Sequence, residues 1–117
     1  WAIIGGMAGA HQFVKVGAHA MVGGGTIMLK DVPPFVLSSG NPATPFGINS
    51  EGLKRRGFTS EQIMSIKRAY KAIYRQDLTI ERAIVAINSA AADEPNNAAA
   101  LSLMSAFLTQ ATRGIIR

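Results

Sequence analysis

The first third of the chain repeats its hydrophobic pattern every six residues. Counted in sixes from Ala2, the third position is always apolar, and it is occupied by Ile4, Ala10, Val16, Val22 and Met28. The fourth position is glycine in three of the five sixes. Neither an α-helix, with a period of 3.6, nor an ordinary strand, with a period of 2, explains this spacing. It predicts short flat strands joined by tight corners, with one apolar side chain of each strand pointing inward.

This pattern predicts the terminal coils of a parallel β-helix, in which three strands make one coil of about 18 residues. We expect glycine at the corners because it tolerates unusual backbone angles. The runs Asp31-Val32-Pro33-Pro34 and Gly40-Asn41-Pro42 are expected to end the six-residue pattern, since proline cannot donate to a strand ladder. The coils would close by about Pro42, and residues 1–47 would hold the coils and an exit loop. About two coils would bury little, and solenoids generally need at least about three repeats for stability, so we also expect further coils before Trp1.

Helical signals replace the sixes from Ser50 onward and predict an α-helical domain over residues 48–117. A first short helix should end at Gly57, a typical C-terminal cap. The run Thr59-Ser60-Glu61-Gln62 is a capping box for a second helix. Two more helices are expected after Thr79 and after Pro95, the last one ending at Gly114. The predicted fold class is therefore mixed, with β-helix coils followed by a small α-helical bundle.

Composition and charge change at the same boundary. Nine of the 12 glycines and four of the five prolines lie at or before Gly47, and eight of the twelve basic residues fall between Lys54 and Arg82. On the second helix the cations Lys67, Arg68, Lys71 and Arg75 share a face away from the apolar stripe. With a net charge of +5, the partner should be acidic: a phosphorylated small molecule, a protein or an anionic membrane surface, with nucleic acid disfavoured by the lack of a recognised binding motif.

Several classes of function are excluded by what the sequence lacks. It contains no cysteine and no apolar run of the roughly 18 residues that a membrane span requires, so we expect a cytoplasmic location. No nucleophile–base pair, metal-ligand cluster or paired carboxylates can be recognised. The sequence therefore predicts binding chemistry without a catalytic base of its own.

Three polar or glycine-rich stretches are candidates for binding. His11-Gln12 replaces the usual corner glycine, either as a local backbone cap or as part of a cleft, whereas His19 is interpreted as structural. Gly23-Gly24-Gly25 lacks the lysine and helix of a phosphate loop, but with Met21 it would leave a groove suited to an acyl chain. The stretch from Asn49 through Glu51 to Lys54-Arg55-Arg56 is either a helix cap followed by solvated cations or a grip for a sugar and a diphosphate.

These motifs carry a resemblance to a known family. The exit motif is similar to that of left-handed β-helix hexapeptide acyltransferases in general, and the remaining motifs closely resemble the UDP-N-acetylglucosamine acyltransferases that begin lipid A synthesis. The stretches that carry the resemblance are Lys30-Asp31-Val32-Pro33-Pro34-Phe35, Gly5-Gly6-Met7, His11-Gln12-Phe13, Asn41 to Gly47, Asn49, Glu51 to Phe58 and Ala111 to Arg117. It covers the whole chain and corresponds to the C-terminal part of that family's subunit.

The resemblance implies a homotrimer with active sites between subunits. Such an enzyme moves an (R)-3-hydroxyacyl chain from acyl carrier protein, which bears it on phosphopantetheine, to the 3-hydroxyl of UDP-N-acetylglucosamine, and it needs no other cofactor and no metal. The family's general-base histidine lies on an earlier coil, and no position here matches it. This stretch is therefore expected to be inactive alone. The alternatives are another hexapeptide-repeat acyltransferase, or a trimerisation or carrier-docking module without chemistry.

The resemblance also assigns roles to individual residues. Those expected to bind substrate are His11, Gln12, Asn49, Glu51, Arg55 and, more weakly, Arg56. Gly24 falls where the family measures acyl-chain length, and Met21 lies beside the chain. The basic face of Lys67, Arg68, Lys71 and Arg75 is inferred from charge to dock the acidic carrier protein.

Overall fold

The chain divides into two compact units. The computed structural model describes residues 2–10, 12–111 and 114–117. The first unit comprises Trp1–Asn49 together with Ala111–Arg117, and the second comprises Ser50–Gln110. The last seven residues thus group with the first unit, whereas the sequence assigned them to the helical domain.

Short parallel strands stack on one another in the first unit. The strands are β1 (Ile3–Ile4), β2 (Gly9–Ala10), β3 (Met21–Val22), β4 (Ile27–Met28), β5 (Val36–Ser39) and β6 (Thr44–Ile48). Strand β1 pairs with β3, where Ile3 lies opposite Met21, and β2 pairs with β4, where Gly9 lies opposite Ile27. In both pairs the partners are separated by 18 residues in the sequence. The interval that the six-residue pattern predicts is confirmed.

The stacking continues beyond the proline pair. Val32 forms a parallel bridge with Val16, and β5 lies parallel to β3, at an interval of 16 residues. The six-residue pattern thus breaks at residues 31–34, as predicted, while parallel pairing continues at the shortened interval as far as β5. Antiparallel pairing follows the second predicted end, Gly40-Asn41-Pro42. Both prolines are buried at a corner, where the chain needs no ladder donor. The circuit from one stacked strand to the next is two residues shorter here, 16 instead of 18. Strand β6 then runs antiparallel to β5 and completes the sheet.

The corners use glycine differently from the prediction. Positive φ angles recur every six residues, at Met7 (62°), Phe13 (69°), His19 (59°) and Gly25 (72°). Most of these left-handed positions are not glycine. Gly5 and Gly17 serve close stacking instead: a Cβ atom would lie 2.6 Å from the Gly24 nitrogen in the first case and 2.3 Å from the Pro34 nitrogen in the second. The expected reason for glycine, backbone freedom, is wrong at these two positions.

The core of the first unit forms in its later turns. The inward third-position side chains Val22 and Met28 are each 1% exposed. Those of the first turn are not covered, since Ile4 is 54% exposed and Ala10 is also exposed. Inward burial is thus confirmed for the later turns and absent from the first.

The second unit consists of helices with sequence-encoded ends. They are α1 (Ser50–Arg55), α2 (Ser60–Tyr74), α3 (Ile80–Asp93), a 3₁₀ turn (Pro95–Asn97) and α4 (Ala98–Gln110). After α1, Gly57 has a φ of 89° and the Phe58 N–H donates to the Leu53 carbonyl, which satisfies the last turn. At the start of α2, Thr59 and Gln62 exchange the two hydrogen bonds of the predicted capping box. Both predictions are confirmed.

Helices α2, α3 and α4 pack on one another through their apolar stripes. The buried residues that they share include Ile63, Ile66, Ile73, Ala83, Ile87, Leu101, Met104 and Leu108. Helix α4 ends at Gln110, not at Gly114 as predicted. Gly114 has a φ of 80°, and its carbonyl accepts a hydrogen bond from the Asp31 N–H, so the chain has already left the helix there. Within the described parts of the chain, the helices are too short or too polar to cross a bilayer.

Candidate functional site

Met21 and Gly24 lie on an outer strip of the first unit that has few side chains. Met21 is 39% exposed and is stacked between Ile3 and Leu37 of the neighbouring turns. Beside it, a Cβ atom on Gly24 would lie 3.1 Å from the Gly6 carbonyl oxygen. Gly24 thus packs closely on the next turn and leaves its corner without a side chain, while Met21 belongs to an apolar ladder in the same stack.

Gln12 lies exposed at the next corner of the same unit. It precedes Phe13, an aromatic side chain that is 72% exposed. His11, its predicted partner in substrate binding, lies outside the described residues.

The predicted nucleotide-binding residues fall on both sides of the boundary between the units. Asn49 closes the first unit; it is only 6% exposed, and its N–H donates to the Phe35 carbonyl at 2.8 Å. In the second unit, Glu51 and Arg55 are exposed and lie four residues apart on α1, hence on one face. Arg56 follows the helix and is half-buried. The structure thus brings Glu51 and Arg55 together within α1.

The basic face of α2 is divided by an ion pair. Lys67, Lys71 and Arg75 are exposed, and no described carboxylate lies within ion-pair distance of them. Arg68 instead donates to the Glu94 Oε1 at 2.8 Å. Its charge is compensated inside the second unit, so three of the four predicted docking cations present an uncompensated charge.

Sequence reasoning assigned no role to Asp31, which ties three segments of the first unit together. Its side chain is buried, and Oδ1 accepts the Lys15 N–H at 2.8 Å. Its own N–H donates to the Gly114 carbonyl at 3.1 Å, and its carbonyl accepts the Ile116 N–H at 2.8 Å. The only signal in the sequence was its place beside the proline corner, which marks a motif without revealing these partners.

Glu94 is the carboxyl group whose environment is most clearly altered. The Asn97 side-chain amide donates to its Oε1 at 3.0 Å, and Arg68 adds its charge and a second bond. These partners, with Asn97 the largest contributor, lower the pKa of Glu94 against a smaller opposing effect of desolvation. Among the described residues, no group of His, Asp or Glu side chains is close enough to hold a metal ion.

Comparison with known proteins identifies the family. Over residues 31–116 the chain matches the family described as UDP-N-acetylglucosamine O-acyltransferase, domain 2. The chain belongs to this family. The resemblance seen in the sequence motifs is thereby confirmed.

Relatives in the UDP-N-acetylglucosamine O-acyltransferase family match the chain from end to end. The acyl-[acyl-carrier-protein]–UDP-N-acetylglucosamine O-acyltransferases of Thiobacillus denitrificans and Burkholderia lata are 50% and 46% identical to it over 117 residues. The solved structure of LpxA from Acinetobacter baumannii superposes with a TM-score of 0.92 at 43% identity, over 99% of this chain and 44% of that one. The chain spans 44% and 45% of the two curated relatives' lengths.

Proposed function

We propose that this chain is the C-terminal part of an acyltransferase that moves an (R)-3-hydroxyacyl chain from acyl carrier protein to the 3-hydroxyl of UDP-N-acetylglucosamine, the first step of lipid A biosynthesis. The observation that carries the proposal is the match, over all 117 residues, to relatives named acyl-[acyl-carrier-protein]–UDP-N-acetylglucosamine O-acyltransferase. A cytoplasmic location, and no cofactor beyond the carrier's own phosphopantetheine, belong to the same proposal.

The proposal includes a finer architecture than the mixed strands and helices described above. The parallel turns would be the last coils of a left-handed β-helix, three subunits would form a homotrimer, and the helices would form a small bundle. Two observations support this. The 18-residue interval requires three strands per turn, and the exposed Ile4 and Ala10 are apolar side chains that a preceding coil would cover.

The nucleotide end of the substrate would be held mainly by α1 and its flanks. The Arg55 guanidinium offers a planar fork that matches a diphosphate, and Arg56 adds a second cation. Glu51 would accept hydrogen bonds from ribose or sugar hydroxyls. From the resemblance, Asn49 is also assigned to the nucleotide end, Gln12 to the nucleotide-sugar or acyl product, and His11 to substrate binding near them. The exposure of Glu51 and Arg55 on one helix face supports this assignment.

The acyl chain would lie on the strip formed by Met21 and Gly24. In the reaction, the sugar oxygen attacks the thioester carbonyl, the carbon–sulfur bond breaks, and the hydroxyl proton passes through a base to the departing thiolate. That base is expected on coils outside this chain. The residues present here would bind and orient both substrates, which lowers the entropic cost of bringing them together.

The test is an assay of the full-length protein that contains this chain. We expect turnover with (R)-3-hydroxyacyl carrier protein and UDP-N-acetylglucosamine, and none with acetyl-CoA as donor. Equal turnover with acetyl-CoA would indicate another hexapeptide acyltransferase. Binding of the carrier protein without any turnover would indicate a docking module, and either result contradicts the proposal.

A further inference from the structure

Two stacked turns of the first unit differ in length at one corner. Ala10 of β2 lies opposite Met28 of β4, and Val16 forms a parallel bridge with Val32. Five residues separate Ala10 from Val16, whereas three separate Met28 from Val32. The corner of residues 11–15 is therefore two residues longer than the corner of the next turn, and the two cannot pair residue by residue.

Asp31 bridges this mismatch with its side chain. Backbone pairing resumes at Val32, whose N–H donates to the Lys15 carbonyl at 2.9 Å and whose carbonyl accepts the Gly17 N–H at 2.8 Å. The Lys15 N–H lies just before this pairing, and the Asp31 Oδ1 accepts it at 2.8 Å. A carboxylate oxygen thus serves where a regular ladder would use a backbone carbonyl.

The backbone of Asp31 is fixed in turn by residues 114–117. The Asp31 N–H donates to the Gly114 carbonyl at 3.1 Å, and the Asp31 carbonyl accepts the Ile116 N–H at 2.8 Å. Asp31 is 1% exposed and Ile116 is 3% exposed. The carboxylate is therefore a buried acceptor on an anchored backbone, and it restrains the chain segment that donates to it.

The restrained corner carries exposed side chains. Gln12 is exposed, and Phe13 is 72% exposed with a φ of 69°. A positive φ is unfavourable for a bulky aromatic residue, and such a conformation persists where the surroundings hold it. The pairing of β2 with β4 holds the chain before the corner, and the bond between Lys15 and Asp31 holds it after the corner.

We propose that Asp31 is a positioning residue that fixes the Gln12 corner for binding of the acylated nucleotide sugar. This inference rests on the function proposed above, in which Gln12 is assigned to the nucleotide-sugar or acyl product. Asp31 is buried and acts through the backbone of Lys15, three residues beyond Gln12 in the sequence. Binding groups need a supporting shell that holds them within about 0.5 Å of the productive geometry, and this hydrogen bond belongs to such a shell.

The experiment is calorimetric titration of the full-length protein with the product of the proposed reaction, UDP-3-O-[(R)-3-hydroxyacyl]-N-acetylglucosamine. Asp31→Ala removes the acceptor and should raise the Kd of the product about tenfold. Asp31→Asn is the matched control, because it removes the charge and keeps an oxygen acceptor, and its Kd should stay within about twofold of wild type. Titration reports the number of binding-competent chains separately from the Kd, so partial unfolding alone would lower the stoichiometry and leave the Kd unchanged.

A double-mutant cycle tests whether Asp31 acts through the corner. Gln12→Ala should weaken product binding by itself, and in that background Asp31→Ala should add less than about twofold. Asp31→Ser, whose side chain is shorter, should lose affinity as Asp31→Ala does and takes its place if the alanine variant does not fold.

Three results would overturn this inference alone, with the wild type still active: an unchanged Kd without the acceptor, an equal loss in Asp31→Asn, or additive losses in the cycle. Failure of the wild type to acylate UDP-N-acetylglucosamine would overturn the proposed function, and this inference with it.

Discussion

Two neighbouring glycines in the first unit differ in how closely they are packed. A Cβ atom on Gly5 would meet backbone of the next turn, 2.6 Å from the Gly24 nitrogen and 2.9 Å from its Cα. Around Gly6 there is no atom within 4 Å of such a Cβ, and the φ of Gly6 lies outside the left-handed region. Gly5 is therefore fixed by packing, whereas Gly6 leaves open surface beside the proposed acyl strip.

This contrast predicts opposite outcomes for two alanine substitutions in the full-length protein. Gly5→Ala should lower the free energy of unfolding by about 1–3 kcal/mol, because backbone atoms of the next turn must shift to admit the methyl group. Gly6→Ala, the matched control, should change stability by no more than about 0.5 kcal/mol or raise it slightly through chain entropy. Urea unfolding measures both values. Similar losses at the two positions would contradict the stacking explanation.

A second prediction concerns Glu94, whose folded-state pKa is lowered from a reference of 4.5, chiefly by the hydrogen bond from Asn97 and also by Arg68. The carboxyl binds protons more readily in the unfolded chain. It therefore stabilises the fold at pH values above its unfolded-state pKa, and this contribution disappears as the pH falls through its lower folded-state pKa. The stability advantage of wild type over Glu94→Gln should therefore shrink as the pH drops below about 4.5.

Urea unfolding of the full-length protein at a series of pH values measures this advantage. Arg68→Gln provides the comparison. It should weaken the pH dependence of the free energy of unfolding without abolishing it, because the hydrogen bond from Asn97 to Glu94 remains. If the free energy of unfolding of Glu94→Gln fell with decreasing pH as steeply as that of wild type, Glu94 would not contribute in this way.

At the scale of elements, signals carried by short spacing or by the regular repeat were predictable, and irregular long-range pairings were not. The Thr59–Gln62 capping box and the Gly57 cap lie within a few residues of the backbone groups that they satisfy, so sequence spacing was sufficient. The turn through the proline pair depends on Val16 meeting Val32 across a shortened interval. Proline signals a break in the six-residue pattern locally, and nothing near it in sequence gives the 16-residue interval at which the strands pair.

The same distinction applies to the candidate sites. Spacing on a single helix placed Glu51 with Arg55 on α1, and it placed the lysines of α2 on one face, because helical geometry relates residues four apart. The ion pair of Arg68 with Glu94 joins α2 to the residue that follows α3, so no short sequence window contains it. Arg68 shows the consequence: its spacing suggested a docking cation, but its partner Glu94 comes from a distant segment.

At the scale of the whole molecule, charge on the second unit is separated along α2. The first turn contains Glu61, whereas Lys67 and Lys71 further along the helix and Arg75 at its C-terminal cap are exposed, with no described carboxylate within ion-pair distance. Exposed charges of this kind contribute little to folding. They are better suited to attracting a partner of opposite charge, which acts on the rate of encounter and on orientation.

The last prediction tests these cations as the docking face for acyl carrier protein. In the full-length enzyme, Lys71→Glu should raise the apparent KM for the acyl carrier protein about fivefold at low salt, with kcat little changed, because encounter is weakened while the reacting groups are untouched. The difference should shrink as salt is raised, since exposed charges are screened.

Arg82→Glu, an equal charge reversal at an exposed position on α3, should leave that KM near the wild-type value. Steady-state kinetics at two ionic strengths decides the matter: equal effects of the two reversals would indicate a general loss of positive charge, and no effect of Lys71→Glu would remove α2 from the docking surface.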